Sequence, residues 1–296
     1  MTDYEVIILG SGPAGLQAAI HAARAKVKVA VLGKPEQSSI YKAHIENYCC
    51  LTNITGDDLL KQGMNQAKSF GVEFIQEDTI ETKNEDSKVI VKIESGREIT
   101  ARALIFTIGI TRNSLHVPGE SDLKGHGVSY CVDCDANFFK NKPVAIVGNG
   151  SAAVSGALTL SAYSDNVHLV TEKIEVSEDL ERQIRDSEIK IHEQNWITEI
   201  KGSGSVESVE LREGSINVDG VFIELGAKGA MELAGFLGIK MDENFKHIAT
   251  NKKQETSIDG IYAAGDICGP PWQIAKAVGE GCVAGLEAAK YAKRFR

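Results

Sequence analysis

The chain has no basic excess, few aromatic residues and no apolar run long enough to cross a membrane. Its formal net charge is −9 over 296 residues, whereas a nucleic-acid-binding protein normally presents a basic face. A membrane-spanning helix needs about 18–20 apolar residues in succession. We therefore expect neither a nucleic-acid nor a membrane partner. Aromatic residues make up 6% and glycine is frequent at 29 residues, which suits an α/β protein whose backbone approaches ligands closely.

Cysteine is also scarce. The six cysteines are Cys49, Cys50, Cys131, Cys134, Cys268 and Cys282. No charged-then-apolar signal segment opens the sequence, because Met1–Glu5 leads directly into the strand-like run Val6–Leu9. We expect a cytoplasmic protein in which these cysteines are not a disulfide scaffold. One spaced pair in such a protein indicates redox or metal chemistry.

The sequence contains an internal repeat of strand, glycine-rich loop, helix and strand. In the first copy Tyr4–Leu9 precedes the loop Gly10–Gly15, and in the second copy Lys142–Val147 precedes Gly148–Ala153. A helical run and another strand follow each loop. Each copy therefore predicts a right-handed βαβ unit with a parallel sheet.

Two further segments add to this pattern. Alternating runs within residues 79–101 are typical of strands joined by a hairpin. The cluster Gly260–Ile267 ends another strand, and a helix is predicted from about residue 272 to 291 with Lys276 and Glu280 on its wet face.

These elements predict an α/β fold class with two Rossmann-like, three-layer dinucleotide-binding domains, the second inserted into the first. The first domain is predicted to comprise residues 1–113 and 247–296. The inserted domain is predicted to comprise residues 114–246 and to carry the Cys-x-x-Cys pair. Linker-like stretches around residues 115–120 and 243–246 set these boundaries.

The loop Gly10–Gly15 has the residues and the context of a dinucleotide-binding loop. Gly10 permits the tight turn, Gly12 lets the backbone approach a pyrophosphate, and Gly15 lets the helix pack on the strand. The free N–H groups at the helix start would face the phosphates. The alternative is a glycine-rich turn without a ligand, but the preceding strand and following helix favour dinucleotide binding.

The sequence Cys131-Val-Asp-Cys134-Asp135 is the second motif with chemical meaning. Two intervening residues let both sulfurs meet at a turn or helix start, which permits a reversible disulfide. Asp135, beside the second sulfur, could exchange a proton with a thiolate. The alternative is half of a zinc site, but zinc takes four ligands. There is no second Cys-x-x-Cys, since Cys49 and Cys50 are adjacent, so we expect no metal.

Four features occur in one order along the chain: Gly10–Gly15, Cys131–Asp135, Gly148–Ala153 and Ala263–Asp266. In this order the sequence resembles the low-molecular-weight thioredoxin reductases, class II members of the FAD-dependent pyridine nucleotide-disulfide oxidoreductases. The resemblance covers nearly the whole chain, and the Cys-x-x-Cys just before the second glycine loop is its most specific feature. It implies a homodimer in which the inserted domain rotates, so that the dithiol leaves the flavin and meets a thioredoxin-like protein.

The resemblance also implies the site residues. The implied FAD-binding residues are Gly10, Ser11, Gly12, Pro13, Ala14, Gly15, Asn47, Gly109, Gly265, Asp266, Gln273, Ile274 and Ala275. Cys134 would face the flavin, Cys131 would form the mixed disulfide with the partner, and Asp135 would be the general acid.

The second half departs from the family where NADPH would bind. The family carries a His-Arg-Arg run and a further arginine for the 2′-phosphate, whereas here Glu172 replaces an arginine, Ser177 replaces the distal one, and only Lys173 is basic. A phosphate beside Glu172 would be repelled, and bidentate arginine contacts are missing. NADPH is therefore not the expected donor. Glu172 is either a ribose ligand for NADH or a surface charge.

Two loops, Gly33–Ser39 and Leu225–Ala230, also differ from the family pattern and resemble its NADPH-independent, ferredoxin-linked branch. Ferredoxin is the favoured donor, and NADH or a deazaflavin are alternatives. Because the net charge is acidic, any patch that docks ferredoxin must be local.

Three residues near the implied flavin site have open interpretations. Cys49 and Cys50 stand where the family has Pro-Gly. They form either a second redox pair or, as we favour, two small buried thiols. Trp272 either stacks near the flavin ring or is simply buried.

Two other functions are compatible with the same motifs. One is a flavoprotein redox sensor or binding module that responds to oxidation without steady turnover. The other is a reductase whose Cys-x-x-Cys is structural and whose flavin passes electrons directly to a carrier.

Overall fold

A computed structural model describes residues 2–41, 43–85, 88–109, 114–225, 230–243 and 246–296. The chain divides into two units. Residues 1–93, 97–111 and 229–296 form the first unit, and residues 94–96 and 112–228 form the second. The second unit therefore interrupts the first along the sequence.

Both units contain helices and strands. The helices in the described residues are α1 Pro13–Arg24, α2 Gly56–Ser69, α3 Val132–Asp135, α4 Ser151–Leu160, α5 Glu178–Arg185, α6 Ala230–Phe236 and α7 Ile274–Ala292. The strands are β1 Thr2–Asp3, β2 Val6–Leu9, β3 Val29–Leu32, β4 His44–Ile45, β5 Ile54–Thr55, β6 Glu73–Ile75, β7 Thr79–Glu85, β8 Lys88–Ile93, β9 Glu98–Ala101, β10 Ala103–Phe106, β11 Val128–Ser129, β12 Val144–Val147, β13 Val167–Val170, β14 Lys190–His192, β15 Ile197–Lys201, β16 Ser208–Leu211, β17 Ser215–Asn217, β18 Gly220–Ile223 and β19 Ile261–Ala263. Short 3-10 helices cover Pro35–Gln37, Ala136–Phe139, Asp266–Cys268 and Lys293–Phe295.

The first unit has three layers around a parallel sheet in the order β19-β10-β2-β3-β6. Strand β2 is apolar and buried throughout, as a parallel strand covered on both faces should be. Its side chains alternate in direction. Val6 and Ile8 pack in one core cluster with alanines of α1 and α7. Ile7 and Leu9 pack in a second cluster with apolar residues of β8 and β9.

The third layer is a sheet in the order β1-β9-β8-β7, in which β7, β8 and β9 are antiparallel neighbours. This confirms the strands and hairpin predicted within residues 79–101.

Helices α1 and α7 are in backbone contact because glycines face the crossing. A Cβ atom on Gly281 would lie 2.2 Å from the carbonyl oxygen of Ala14, and one on Gly285 would lie 2.3 Å from that of Ala18. No larger residue fits at either place without moving a helix. This contact holds α7 against the helix that follows the first glycine loop.

The second unit repeats the parallel arrangement, with a sheet in the order β11-β18-β12-β13-β14. The antiparallel sheet β15-β16-β17 shares a core with it, in which Val147 and Val170 cluster with Val209 and Ile216. The predicted second βαβ copy is therefore present, and the two units confirm the α/β fold class.

The structure returns to the first unit at residue 229, earlier than the predicted boundary at 246/247. The reason is the packing of α6. Leu233 is 1% exposed within the core cluster of the first unit, and its carbonyl accepts a hydrogen bond from Thr82 Oγ1 at 2.8 Å. The other predicted boundary, after residue 113, adjoins residues 110–113, which lie outside the described residues.

No helix among the described residues is long and apolar enough to span a bilayer.

Candidate active site

The ends of three neighbouring strands bring most of the predicted cofactor residues together. Leu9, Phe106 and Ala263 are in register at the carboxyl ends of β2, β10 and β19. The segments that follow parallel neighbours emerge at one edge of the sheet, where ligands bind in such folds. The loop Gly10–Gly15, Gly109 and the pair Gly265–Asp266 therefore lie at this edge.

In the first glycine loop, which leads into α1, Gly10 and Gly15 lie too close to neighbouring backbone atoms for any side chain to fit. Gly10 has φ +108°, and a Cβ atom on it would lie 2.6 Å from Thr107 O. A Cβ atom on Gly15 would lie 1.9 Å from Gly10 O. Gly12 is the N-cap residue, no side chain caps the helix there, and Pro13 occupies the first turn. A helix start without a side-chain cap could hold a ligand with negative charge.

Lys276 and Glu280 clamp the loop that holds Asp266. Lys276 Nζ donates to the carbonyl oxygens of Gly265 and Gly269, both at 2.7 Å, and pairs with Glu280 at 3.0 Å. Glu280 Oε2 accepts the Gly265 N–H at 2.9 Å. The predicted wet face is wrong at these two positions, since their side chains are only 15% and 21% exposed. The loop folds back over them and uses both charges as hydrogen-bonding groups.

Asp266 itself is half-buried. Burial raises the pKa of its carboxyl group, and the Lys276 ammonium group opposes that shift. The side chain thus lies in a partly dry environment at the sheet edge.

Asn47 and Gln273 are in direct contact. Asn47 Nδ2 donates to Gln273 Oε1 at 2.8 Å, and Gln273 is the N-cap residue of α7. Both side chains, together with Ala275, are exposed, while Ile274 is half-buried. Trp272 is 58% exposed, so burial does not account for it. The start of α7 therefore presents an open surface.

The structure confirms the pairing of the two central cysteines. Cys131 and Cys134 form a disulfide with a Cα–Cα distance of 5.3 Å. Cys131 is the N-cap of α3, and its sulfur accepts the Cys134 N–H at 3.2 Å. Cys131 is half-buried and Cys134 is exposed. The described residues contain no group of three or more His, Cys, Asp or Glu placed to hold a metal ion.

Ser129 fixes the position of Asp135 relative to the disulfide. Its hydroxyl donates to Asp135 Oδ2 at 2.6 Å and accepts the Cys131 N–H at 3.1 Å. Sequence reasoning gave Ser129 no role. The only sequence feature that could have indicated its role is its position two residues before Cys131.

Two buried glutamates hold the segment around the disulfide. Glu224 is 7% exposed, and its Oε1 accepts the Val132 N–H at 3.1 Å. Glu120 accepts the Tyr130 hydroxyl and the His116 N–H, each at 2.6 Å. Burial raises the pKa of Glu120, but these hydrogen bonds outweigh it and the net pKa is lowered. Sequence reasoning assigned neither residue to the site, and for Glu224 the reason is that its partner Val132 lies 92 positions earlier in the chain.

The second glycine loop is hydrogen-bonded to a carboxylate that follows it in the sequence, that of Glu175. The loop joins β12 to α4, whose N-cap Gly150 has no side-chain cap. Asn149 Nδ2 donates to Glu175 Oε2 at 2.9 Å, and Asn149 O accepts the Glu175 N–H at 2.8 Å. Glu172 and Lys173 are exposed. Glu175 thus adds negative charge next to this loop, beyond the Glu172 that the sequence pointed to.

Cys49 and Cys50 are not buried, contrary to the favoured interpretation. Both thiols are exposed, and their sulfur atoms lie 3.5 Å apart. The turn between β4 and β5 holds them at the surface. Cys268, by contrast, packs against the core, and burial raises its pKa to about 12.

Comparison with known proteins agrees with this geometry. Residues 4–281 match the model of the family described as pyridine nucleotide-disulphide oxidoreductase. The chain is 34% identical to a thioredoxin reductase of Listeria innocua, over 99% of this chain and 95% of the relative. The crystal structure of the atypical thioredoxin reductase TRi from Desulfovibrio vulgaris Hildenborough matches with a TM-score of 0.83 and 29% identity, covering 98% of each chain. A ferredoxin-flavin thioredoxin reductase from Clostridium acetobutylicum matches with a TM-score of 0.70 and 30% identity, covering 100% of this chain and 99% of that one.

The chain therefore belongs to the pyridine nucleotide-disulphide oxidoreductase family. Within that family it is an oxidoreductase of the thioredoxin reductase type, with a redox-active disulfide at Cys131 and Cys134.

Proposed function

We propose that the chain is an FAD-dependent reductase that passes electrons through Cys131 and Cys134 to a disulfide on a thioredoxin-like protein. The observation that carries the proposal is the disulfide at the start of α3, with Asp135 held beside it by Ser129. Relatives named thioredoxin reductases support the substrate class.

The first unit fits FAD. A dinucleotide needs an uncapped helix start, close backbone approach and polar groups around the ring system. The loop Gly10–Gly15 with Ser11 and Gly12 offers the first two, because a side chain at Gly10 or Gly15 would collide with backbone. We propose that Asp266 and the start of α7 hold the rest of the cofactor, together with Gly109, Asn47 and Gln273. When bound, FAD supplies the electron pair that opens the Cys131–Cys134 disulfide.

The residues of the chain then carry out thiol–disulfide exchange. The Cys131 thiolate attacks one sulfur of the partner disulfide, forming a mixed disulfide as the partner S–S bond breaks. Asp135 gives a proton to the departing partner thiolate. The Cys134 thiolate attacks Cys131 Sγ, which restores the Cys131–Cys134 bond and releases the second partner sulfur as a thiolate that takes its proton from solvent. One disulfide is reduced for each electron pair.

An exposed aromatic residue close to the disulfide supports a protein substrate. Phe138 is 71% exposed and lies in the 3-10 helix Ala136–Phe139, directly after α3. An exposed apolar side chain of this size beside a reactive disulfide is typical of a protein-binding surface. We propose that Phe138 contacts the thioredoxin-like partner.

We further propose that NADPH is not the natural electron donor. Glu175 is bonded to Asn149 within the second glycine loop, and the exposed Glu172 follows β13, the strand that pairs with β12. Negative charge there opposes the 2′-phosphate that NADPH carries and NADH lacks. Ferredoxin is the favoured donor, supported by the likeness to the Clostridium acetobutylicum enzyme, and NADH or a deazaflavin are the alternatives. A homodimer in the cytoplasm completes the proposal.

Anaerobic reduction of the bound flavin, followed by absorbance, tests the donor. NADPH, NADH and reduced ferredoxin are added in turn to the purified protein. We expect rapid bleaching with reduced ferredoxin and slow or no bleaching with NADPH. Rapid bleaching by micromolar NADPH would refute this part of the proposal. Cys131→Ser and Cys134→Ser test the relay, because full disulfide-reductase activity in either variant excludes it.

A further inference from the structure

Cys49 and Cys50 are exposed, and their two sulfur atoms lie next to each other. Their Sγ atoms lie 3.5 Å apart, and neither is in a disulfide. Neighbouring side chains on an extended strand point in opposite directions, so a turn is needed to bring them together. Here the Leu51 N–H bonds to Tyr48 O at 3.1 Å, and Cys50 has φ +69°. The turn therefore positions both sulfurs on the same side.

The 3.5 Å separation matches the bite of a chelating dithiol. Zinc bound to thiolates at about 2.3 Å with a tetrahedral angle holds two sulfurs about 3.8 Å apart. Trivalent arsenic is pyramidal, so its narrower S–As–S angle brings the two sulfurs somewhat closer together. Cys49 and Cys50 meet that spacing with an adjustment of a few tenths of an ångström. Thiolate ligands select soft, thiophilic species over hard cations, which prefer oxygen.

We propose that Cys49 and Cys50 form a vicinal dithiol site that captures thiophilic metalloids, with trivalent organoarsenicals as its ligand class. Both sulfurs bind one arsenic atom. Two As–S bonds form, the arsenic–oxygen bond of an arsenoxide breaks, and the two thiol protons leave with that oxygen as water. Arsenic stays trivalent, so the step needs no oxidant or reductant. It also needs no flavin and no turnover, and it is independent of the proposed function.

Chelation by two sulfurs explains why an arsenical should bind Cys49 and Cys50 in preference to the other free cysteines. Once one sulfur is bound, the second closes the ring within the same turn, so its effective concentration is far above that of any free thiol. Neither Cys268 nor Cys282 is directly followed or preceded by another cysteine in the sequence, and both are only partly accessible. A monothiol competitor should therefore displace an arsenical from them but not from Cys49 and Cys50.

Intact-mass spectrometry of the full chain tests the site. The Cys131→Ser/Cys134→Ser double variant is reduced, desalted anaerobically and mixed with one equivalent of phenylarsine oxide. We expect one adduct per chain that survives excess glutathione and is removed by 2,3-dimercaptopropanol. Reduced protein with all six cysteines should take two equivalents, because Cys131 and Cys134 then provide a second dithiol.

Single substitutions assign the adduct. In the double-variant background, Cys49→Ser or Cys50→Ser should weaken retention against glutathione by about 100-fold or more, the usual gain from an intramolecular second contact. Cys282→Ser is the matched control and should retain the adduct. Circular dichroism verifies that each variant is folded. The proposal is overturned if the double variant forms no glutathione-resistant adduct, or if folded Cys49→Ser and Cys50→Ser variants both keep it.

Discussion

Ser129 donates its hydroxyl to Asp135 at 2.6 Å while accepting the backbone N–H of Cys131 at 3.1 Å. One hydroxyl thus ties the proposed general acid to the first residue of the disulfide motif. The two residues are six positions apart, and the short helix α3 between them sets the distance. Ser129 therefore positions the Asp135 carboxylate.

We expect Ser129→Ala to lower kcat for a thioredoxin-like disulfide about tenfold, because general acid catalysis contributes about 10²–10⁴ and depends on geometry. Ser129→Thr keeps the hydroxyl and should restore most of the rate. Steady-state assays across a pH series provide the measurement. The rate should fall in Ser129→Ala and return in Ser129→Thr across the pH series, because only the threonine keeps the hydroxyl that bonds to Asp135. A uniform loss of rate at every pH in both variants would indicate a structural role instead.

The clamp formed by Lys276 and Glu280 predicts an effect on cofactor binding. We expect Lys276→Met to weaken FAD binding about tenfold, roughly 1.4 kcal/mol. The reason is that the Gly265–Gly269 loop, which carries Asp266, loses both hydrogen bonds to the ammonium group. Titration of the apoprotein with FAD, followed by flavin fluorescence, gives the dissociation constant. Lys290→Met on the same helix is the control, since that side chain is 65% exposed. Equal affinities for the two variants would contradict a role for the clamp.

Local patterns in the sequence were enough to predict the fold class, both glycine loops and the disulfide. A strand followed by Gly10–Gly15 and a helix is encoded within about 20 residues, and a Cys-x-x-Cys pair needs only one turn to close. Contacts between distant segments were not predictable in this way. The Gly265–Gly269 loop covers Lys276 and Glu280, although helical periodicity alone assigns both to solvent.

The same limit explains the domain boundary and the vicinal cysteines. Helix α6 belongs to the first unit because Leu233 packs near Thr82, 151 positions earlier, and no local pattern records that contact. Cys49 and Cys50 were expected in a core because thiols are commonly buried. Their exposure depends on how the turn after β4 lies on the surface.

The exposure of Phe138 predicts its part in partner binding. We expect Phe138→Ala to raise KM for a thioredoxin-like substrate about tenfold with little change in kcat, since aromatic side chains contribute strongly at protein interfaces. Steady-state kinetics with a thioredoxin-like protein and with a small disulfide separate docking from chemistry. The small-disulfide rate should be unchanged. Phe70→Ala, at an aromatic residue that is 43% exposed in the first unit, is the control. An unchanged KM in Phe138→Ala removes Phe138 from the docking surface.

A histidine pair in the second unit predicts how stability depends on pH. His168 Nδ1 and His192 Nε2 lie 2.9 Å apart, and the two rings are stacked. Burial lowers the pKa of His168 to about 4, and the positive charges of His192 and Lys190 act in the same direction. The folded protein therefore favours the neutral form of the His168 imidazole.

Between pH 6.5 and pH 4 the unfolded chain binds a proton at His168 that the folded chain does not. The contribution of His168 to the free energy of unfolding should therefore be complete above pH 6.5 and decrease as the pH falls towards 4. We expect a loss of about 2 kcal/mol between pH 7 and pH 5. Urea unfolding at a series of pH values measures it. His168→Gln should flatten this dependence, whereas His126→Gln, at an exposed histidine, should leave it intact. If His168→Gln loses stability as steeply as the unsubstituted protein over this range, another group is responsible for the dependence.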